Sequence, residues 1–187
     1  MKKLKNTLFL ALTISILSGF AVHAQNKYID KKGKIVFEAS EKLFEEVKAQ
    51  TESATAILDL ETQQIAALAL VKGFRFKNSL MQEHFNENYI ESDTYPKATF
   101  KGKLIDFDPS QLSETPLKVS VEGKMKLHGK EKDILTDLSI YKKENSILMD
   151  GGFKVKPEDF DISIPKIVRN KIAKEVLVQI NFNLIKK

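Results

Sequence analysis

The 187-residue chain contains no cysteine. That excludes a disulfide framework, a cysteine-ligated metal and the acylated cysteine of a bacterial lipoprotein. Histidine is scarce as well, with three in all: His23, His84 and His128. No His-x-x-x-His spacing occurs, so a metal site would have to gather carboxylates from distant segments. Ser79 lies in no nucleophile elbow, and Gly151-Gly152 lacks the pattern of a phosphate-cradling loop. The lysines are scattered, with no basic stripe interleaved with stacking aromatics, so nothing points to nucleic acid. Internal repeats and low-complexity linkers are absent too. The longest apolar run, about 15 residues from Leu8 to Val22, is shorter than the ~20 a spanning helix needs.

That run has another reading. Lys2, Lys3 and Lys5 precede it, and Val22-His23-Ala24 has the small-x-small form of a signal-peptidase site. The three parts together describe a secretory signal peptide over residues 1–24. Cleavage after Ala24 leaves one domain, Gln25–Lys187, and removes three of the cations behind the net charge of +5. The expected address is the bacterial periplasm, with secretion as the alternative and no stable membrane insertion.

Within the mature chain the dominant signal has a period of two. Leu117, Val119, Val121, Gly123, Met125 and Leu127 alternate with Lys118, Ser120, Glu122, Lys124, Lys126 and His128. Such a length is long for an ordinary strand and natural for a barrel. Gly123 within it suggests a kink or bulge. Similar alternation marks Ile35–Ala39, Ala54–Leu60, Ala98–Leu104, Ile134–Ile140 and Val176–Leu184. Gly33 reads as a turn, and Gly151-Gly152 as a break or bulge before Phe153. Ile65–Val71 is apolar throughout, as expected of a strand covered on both faces. Pro157–Phe160 reads as one helical turn opened by proline.

One segment breaks this rhythm. Residues 74–100 hold Phe74, Phe76, Phe85, Tyr89, Tyr95 and Phe100, six of the chain's 12 Phe and 4 Tyr. Met81, Phe85 and Tyr89 recur at i, i+4 and i+8, with Leu80 widening the stripe, so an amphipathic helix is expected from Ser79 to Tyr89. Ser79 and Gln82 have capping-box spacing. This helix is the nearest cover for the Ile65–Val71 strand.

These elements make an all-β protein: an antiparallel barrel of about eight strands with one helix at its mouth. The apolar face belongs inside, because a narrow barrel filled with lysines would leave charges poorly solvated. Two arrangements of the interior stay open, a filled core or a ligand cavity.

The block Met81-Gln82-Glu83-His84-Phe85-Asn86-Glu87-Asn88-Tyr89-Ile90-Glu91-Ser92, followed by Tyr95-Pro96-Lys97-Ala98-Thr99-Phe100-Lys101-Gly102, resembles the YceI-like family of exported, lipocalin-like bacterial proteins. Phe74-x-Phe76, Gly123 with His128-Gly129, and Phe153 to Pro165 fit the same pattern. The resemblance spans nearly all of Lys34–Leu184. It implies an elongated barrel enclosing an isoprenoid or similar amphiphile in an apolar tunnel, with no catalysis and no cofactor. The chain departs from the family at Lys130-Glu131-Lys132, where a small apolar residue, a threonine and a basic residue are usual.

The candidate ligand contacts follow. The central segment supplies Phe74, Phe76, Leu80, Met81, His84, Phe85, Tyr89 and Phe100. The strands supply Val119, Val121, Met125, Leu138, Phe153, Val178 and Ile180. Flat rings and a flexible thioether suit an isoprenoid chain. His84 beside Glu83 could instead serve as an acid/base for a hydrolase or isomerase, or hydrogen-bond the backbone and pin the helix to the barrel. A ligand-free barrel that binds a protein partner at its rim is a third reading, and a homodimer is compatible with the sequence.

Overall fold

The computed structural model describes residues 26–41 and 43–187. The expected signal peptide lies outside the described residues. Nine strands run in chain order: β1 (Lys27–Ser40), β2 (Lys48–Asp59), β3 (Gln64–Leu70), β4 (Arg75–Phe76), β5 (Lys97–Ile105), β6 (Leu117–Leu127), β7 (Lys130–Lys143), β8 (Ser146–Val155) and β9 (Ile172–Lys186). A helix, α1 (Ser79–His84), follows β4. The order β1-β9-β8-β7-β6-β5-β3-β2 is closed by β1–β2 pairing, with every pair antiparallel, so eight strands form a barrel. The two-residue β4 hangs from β2 through Ala49↔Phe76 and Gln50↔Arg75.

Alternation sets the wall. Val119 and Val121 are buried, while Lys118, Lys124 and Lys126 are exposed. The apolar face is therefore inside. An eight-stranded barrel leaves an interior just wide enough for side chains or one small ligand.

The two ends of the barrel differ in their connections. At one end, tight turns join β2 to β3 and β7 to β8, and the only long loop, residues 106–116, folds inward. Asp108 caps its Pro109–Gln111 turn by accepting from Ser110 N at 2.9 Å. Phe107 and Leu112, on either side of that turn, are buried in the main core with Leu58, Leu104, Ile140 and Leu184. Gln63 Nε2 donates to the Phe107 carbonyl at 2.7 Å, fixing the plug. At the other end three long connections cross the mouth, residues 41–47, 71–96 and 156–171.

Four expectations need correcting. Gly33 is not a turn: β1 runs through it with register shifts on either side. A Cβ there would stand 2.1 Å from the Phe182 ring, so the missing side chain makes room for a core aromatic. The second concerns Gly123, which makes no bulge. It pairs directly with Gly102 in an unbroken β5–β6 ladder. The Phe100 ring lies over both glycines, with Cζ 2.6 Å from where either Cβ would be. Gly151-Gly152 likewise leaves the β8–β9 ladder intact, but β7–β8 pairing stops at Leu138↔Gly151. Beyond that point Thr136 Oγ1 donates to the Gly152 carbonyl at 2.9 Å. Finally, β3 is covered on one face only: Ile65 and Ala69 are buried, while Ala66 and Leu70 are exposed. The helix sits over the mouth and not on the outer face of β3, because Phe85 at its end packs inward against Phe37 of β1 and Phe76 of β4.

Candidate ligand-binding cavity

The mouth is built from local chain signals. Asn78, not Ser79, caps α1, accepting from Leu80 N at 2.9 Å and Met81 N at 3.3 Å. Gln82 Oε1 is turned to Phe76 N at 3.3 Å, tying the helix to β4 instead of closing a capping box. After His84 the helix widens into a π turn over Phe85–Tyr89, closed by Ile90 N donating to the Phe85 carbonyl at 3.0 Å. Such turns recur at functional sites because the extra residue re-aims the side chains that follow. Phe85 here enters a cluster with Phe37, Phe74 and Phe76, its ring centroid 5.2 Å from Phe37 and 5.2 Å from Phe76.

Behind this cluster lies a cavity of about 480 Å³. That volume falls within the ~300–1,000 Å³ typical of small-molecule sites. Its wall is almost wholly apolar. Glu45, His84 and Lys171 are its charged or titratable side chains apart from Tyr89, and Thr99 and Thr136 add hydroxyls. Thr136 is already committed to Gly152. These three groups all come from the mouth connections, so the wall is greasy in depth and polar at the rim.

Thirteen of the candidate residues border this cavity. Phe74, Phe76, Met81, His84, Phe85 and Tyr89 form its mouth side, and Phe100, Val121, Met125, Leu138, Phe153, Val178 and Ile180 its walls. Leu80 and Val119 do not. Leu80 is 56% exposed, because the first turn of α1 points it away from the ring cluster. Val119 is buried at 4% exposure but lies below the cavity, in the filled core. Sequence reasoning missed Phe37, Val71, Phe160 and Phe182, which also border the cavity. For Phe37 the alternation Ile35-Phe37-Ala39 was the available signal.

His84 is exposed at the rim, and among the described residues its imidazole makes no hydrogen bond. The histidine that pins backbone is His128. Its Nδ1 pairs with the Phe160 carbonyl at 2.9 Å, its Nε2 lies 3.5 Å from Glu91 Oε1, and its ring meets Tyr95 edge-on at 4.5 Å. Phe160, Ile162, Val71 and Ile90 form a second small core around this contact, roofing the mouth. Among the described residues no group of three or more His, Asp or Glu is placed to hold a metal ion.

A model of the YceI-like domain matches residues 27–184. The chain belongs to the YceI-like family. Solved structures give the same fold. A polyisoprenoid binding domain from Saccharophagus degradans, implicated in plant cell wall breakdown, is similar over 87% of this chain and 99% of its own, with 15% identity and a TM-score of 0.74. BcnA of Burkholderia cenocepacia is similar over 85% of this chain and 99% of its own, with 18% identity and a TM-score of 0.68. The YceI protein of Campylobacter jejuni follows at 19% identity, 75% of this chain, 86% of its own and a TM-score of 0.57. No curated protein matches the chain.

This YceI-like barrel carries Lys130-Glu131-Lys132 at the start of β7, and the structure gives the two lysines a task. Lys130 Nζ lies 2.8 Å from Asp161 and Lys132 Nζ 3.5 Å from Asp159, clipping the β6–β7 turn to the segment that roofs the mouth. The hydrogen bond and then the charge of Lys130 hold the Asp161 carboxyl below the ordinary carboxylate range.

Proposed function

We propose that this protein binds and carries a long apolar amphiphile, of the polyisoprenoid, isoprenoid quinone or fatty-acid-like kind, without chemistry, after export to the periplasm and cleavage behind Ala24. One observation carries the reading: an apolar cavity of about 480 Å³ behind a rim that, among the described residues, holds the charged side chains of its wall. A tail fits the depth and a polar head the rim. Each buried methylene contributes roughly 0.8 kcal/mol, so ten or so give micromolar binding after the cost of association. The polyisoprenoid binding domain that shares this fold supports the ligand class. The exposed, unpartnered His84 offers little to an acid/base mechanism, since no second group orients it.

The test is to express the full chain in a bacterial host, isolate the protein from the periplasm and record native mass spectra, with lipid extraction in parallel. A mature mass starting at Gln25 with a non-covalent apolar adduct is expected, and His84→Ala should retain the adduct. Protein that stays empty, and that fails to take up an added isoprenoid alcohol, would overturn the reading. Conversion of bound lipid by wild type but not by His84→Ala would replace it with catalysis.

A further inference from the structure

The rim leaves several large apolar side chains half or more in solvent, or nearly so. Leu43 is 92% exposed and Phe44 44% on the 41–47 loop, Ile167 is 84% exposed on the 156–171 connection, and Leu80 is 56% exposed at the start of α1. These segments adjoin. Ser40 pairs with Ile172, which brings the first loop beside the second. Lys77 Nζ reaches Glu46 at 2.7 Å and Asn78 Nδ2 reaches Glu45 at 3.3 Å, which tie the helix start to the same loop.

Charge is added to this apolar crown. Residues 162–174 contain Lys166, Arg169, Lys171 and Lys174 and no acid. All four are exposed, and among the described residues none forms an ion pair. The facing acids Glu45 and Glu46 are engaged with Asn78 and Lys77. The rim acids without such a partner are Glu41, Glu83 and Glu87 on the other two segments and Glu158 at the start of the 156–171 connection; beyond Asp161 the charged residues of that connection are all cations, so positive charge concentrates beside Ile167. Protruding apolar side chains flanked by cations match the interface of an anionic bilayer, where the apolar groups enter the acyl boundary and the cations meet headgroups. A second copy of the chain fits less well, because a two-fold contact would set these cations against themselves.

We propose that the rim of the mouth docks on anionic lipid bilayers, presenting the cavity to the membrane. This rests on the carrier reading only for its purpose, since docking itself needs no loaded cavity. The closed barrel spans Lys27–Lys186, so a chain beginning at Gln25 keeps every strand and serves for the test. Flotation is measured with vesicles of phosphatidylcholine alone and of phosphatidylcholine with equal parts phosphatidylglycerol. Binding is expected on the anionic vesicles, to weaken with salt, and to fall about tenfold in L43S/I167S, where two insertable side chains are lost. K166Q/K174Q should weaken anionic binding alone. Both double variants alter exposed residues, so their thermal melts should match wild type. No flotation, or flotation indifferent to both double substitutions, overturns the proposal. Self-association lost in L43S/I167S, without flotation, overturns it in favour of a second copy. A chain that floats but never holds lipid keeps the docking surface and loses the carrier reading, and the converse result does the reverse.

Discussion

The two ends of the barrel are made from the same strands and differ in what fills them. At the plugged end, Leu58, Leu104, Ile140 and Leu184 are fully buried and the 106–116 loop adds Phe107 and Leu112. Toward the mouth, inward positions of β3 and β5 hold Ala67, Ala69 and Ala98, and these border the cavity with Met125 and Phe153. The difference shows that alternation builds a wall but side-chain volume decides whether the wall encloses a core or a void. One end supplies packing that holds the fold, and the other gives up packing to stay hollow.

The sharpest way to break this contrast is to truncate one residue on each side. Leu58→Ala at the plugged end should cost about 3 kcal/mol in urea unfolding, through lost transfer energy and a new void. Met125→Ala, which only widens an existing void, should cost about 1 kcal/mol. Equal losses would mean that the mouth end is packed in solution. Next in size, Gly123→Ala places a Cβ 2.4 Å from the Lys101 carbonyl and 2.5 Å from Gly102 Cα. Backbone cannot yield as a side chain can, so about 2 kcal/mol of stability should be lost, read from the same denaturation curves. Ala67→Phe sharpens the comparison from the other direction. It fills the hollow, so stability should change by less than about 1 kcal/mol while retained lipid disappears from native mass spectra.

The smallest effect concerns the clip at the mouth. Asp161 is held below its ordinary value by Lys130, so the clip's contribution is complete above about pH 4 and fades as pH falls through the lowered value. Asp161→Asn should lower the melting temperature slightly at neutral pH and converge with wild type in acid, removing that fraction of the acid-side slope in a plot of melting temperature against pH. An unaltered acid slope would mean that the pair in solution is open.

Much of this architecture was legible in the residues. The alternation over Leu117–Leu127 and Val176–Leu184 marks strands that the structure contains, and the Met81-Phe85-Tyr89 spacing marks the helical segment. What escaped depends on partners far away in sequence. Gly33 looks like a turn until Phe182 lies against it. Gly123 looks like a kink or bulge until its pairing with Gly102 under the Phe100 ring is known. Parity places Val119 and Val121 on the same inner face, but depth along the barrel, which separates core from cavity, is not written in parity. Leu80 shares the apolar character of its neighbours, and only the cap at Asn78 fixes which way the first turn faces. His128 could not be matched to Phe160, 32 residues on, before the roof was placed.

The asymmetry of the connections has one more consequence. Because residues 41–47, 71–96 and 156–171 all leave from the same end, who is admitted and what is admitted are encoded in separate stretches of chain. Exchanging those three stretches between relatives would transplant a gate while the staves of the cask stayed as they were, so selectivity and durability can drift apart without colliding.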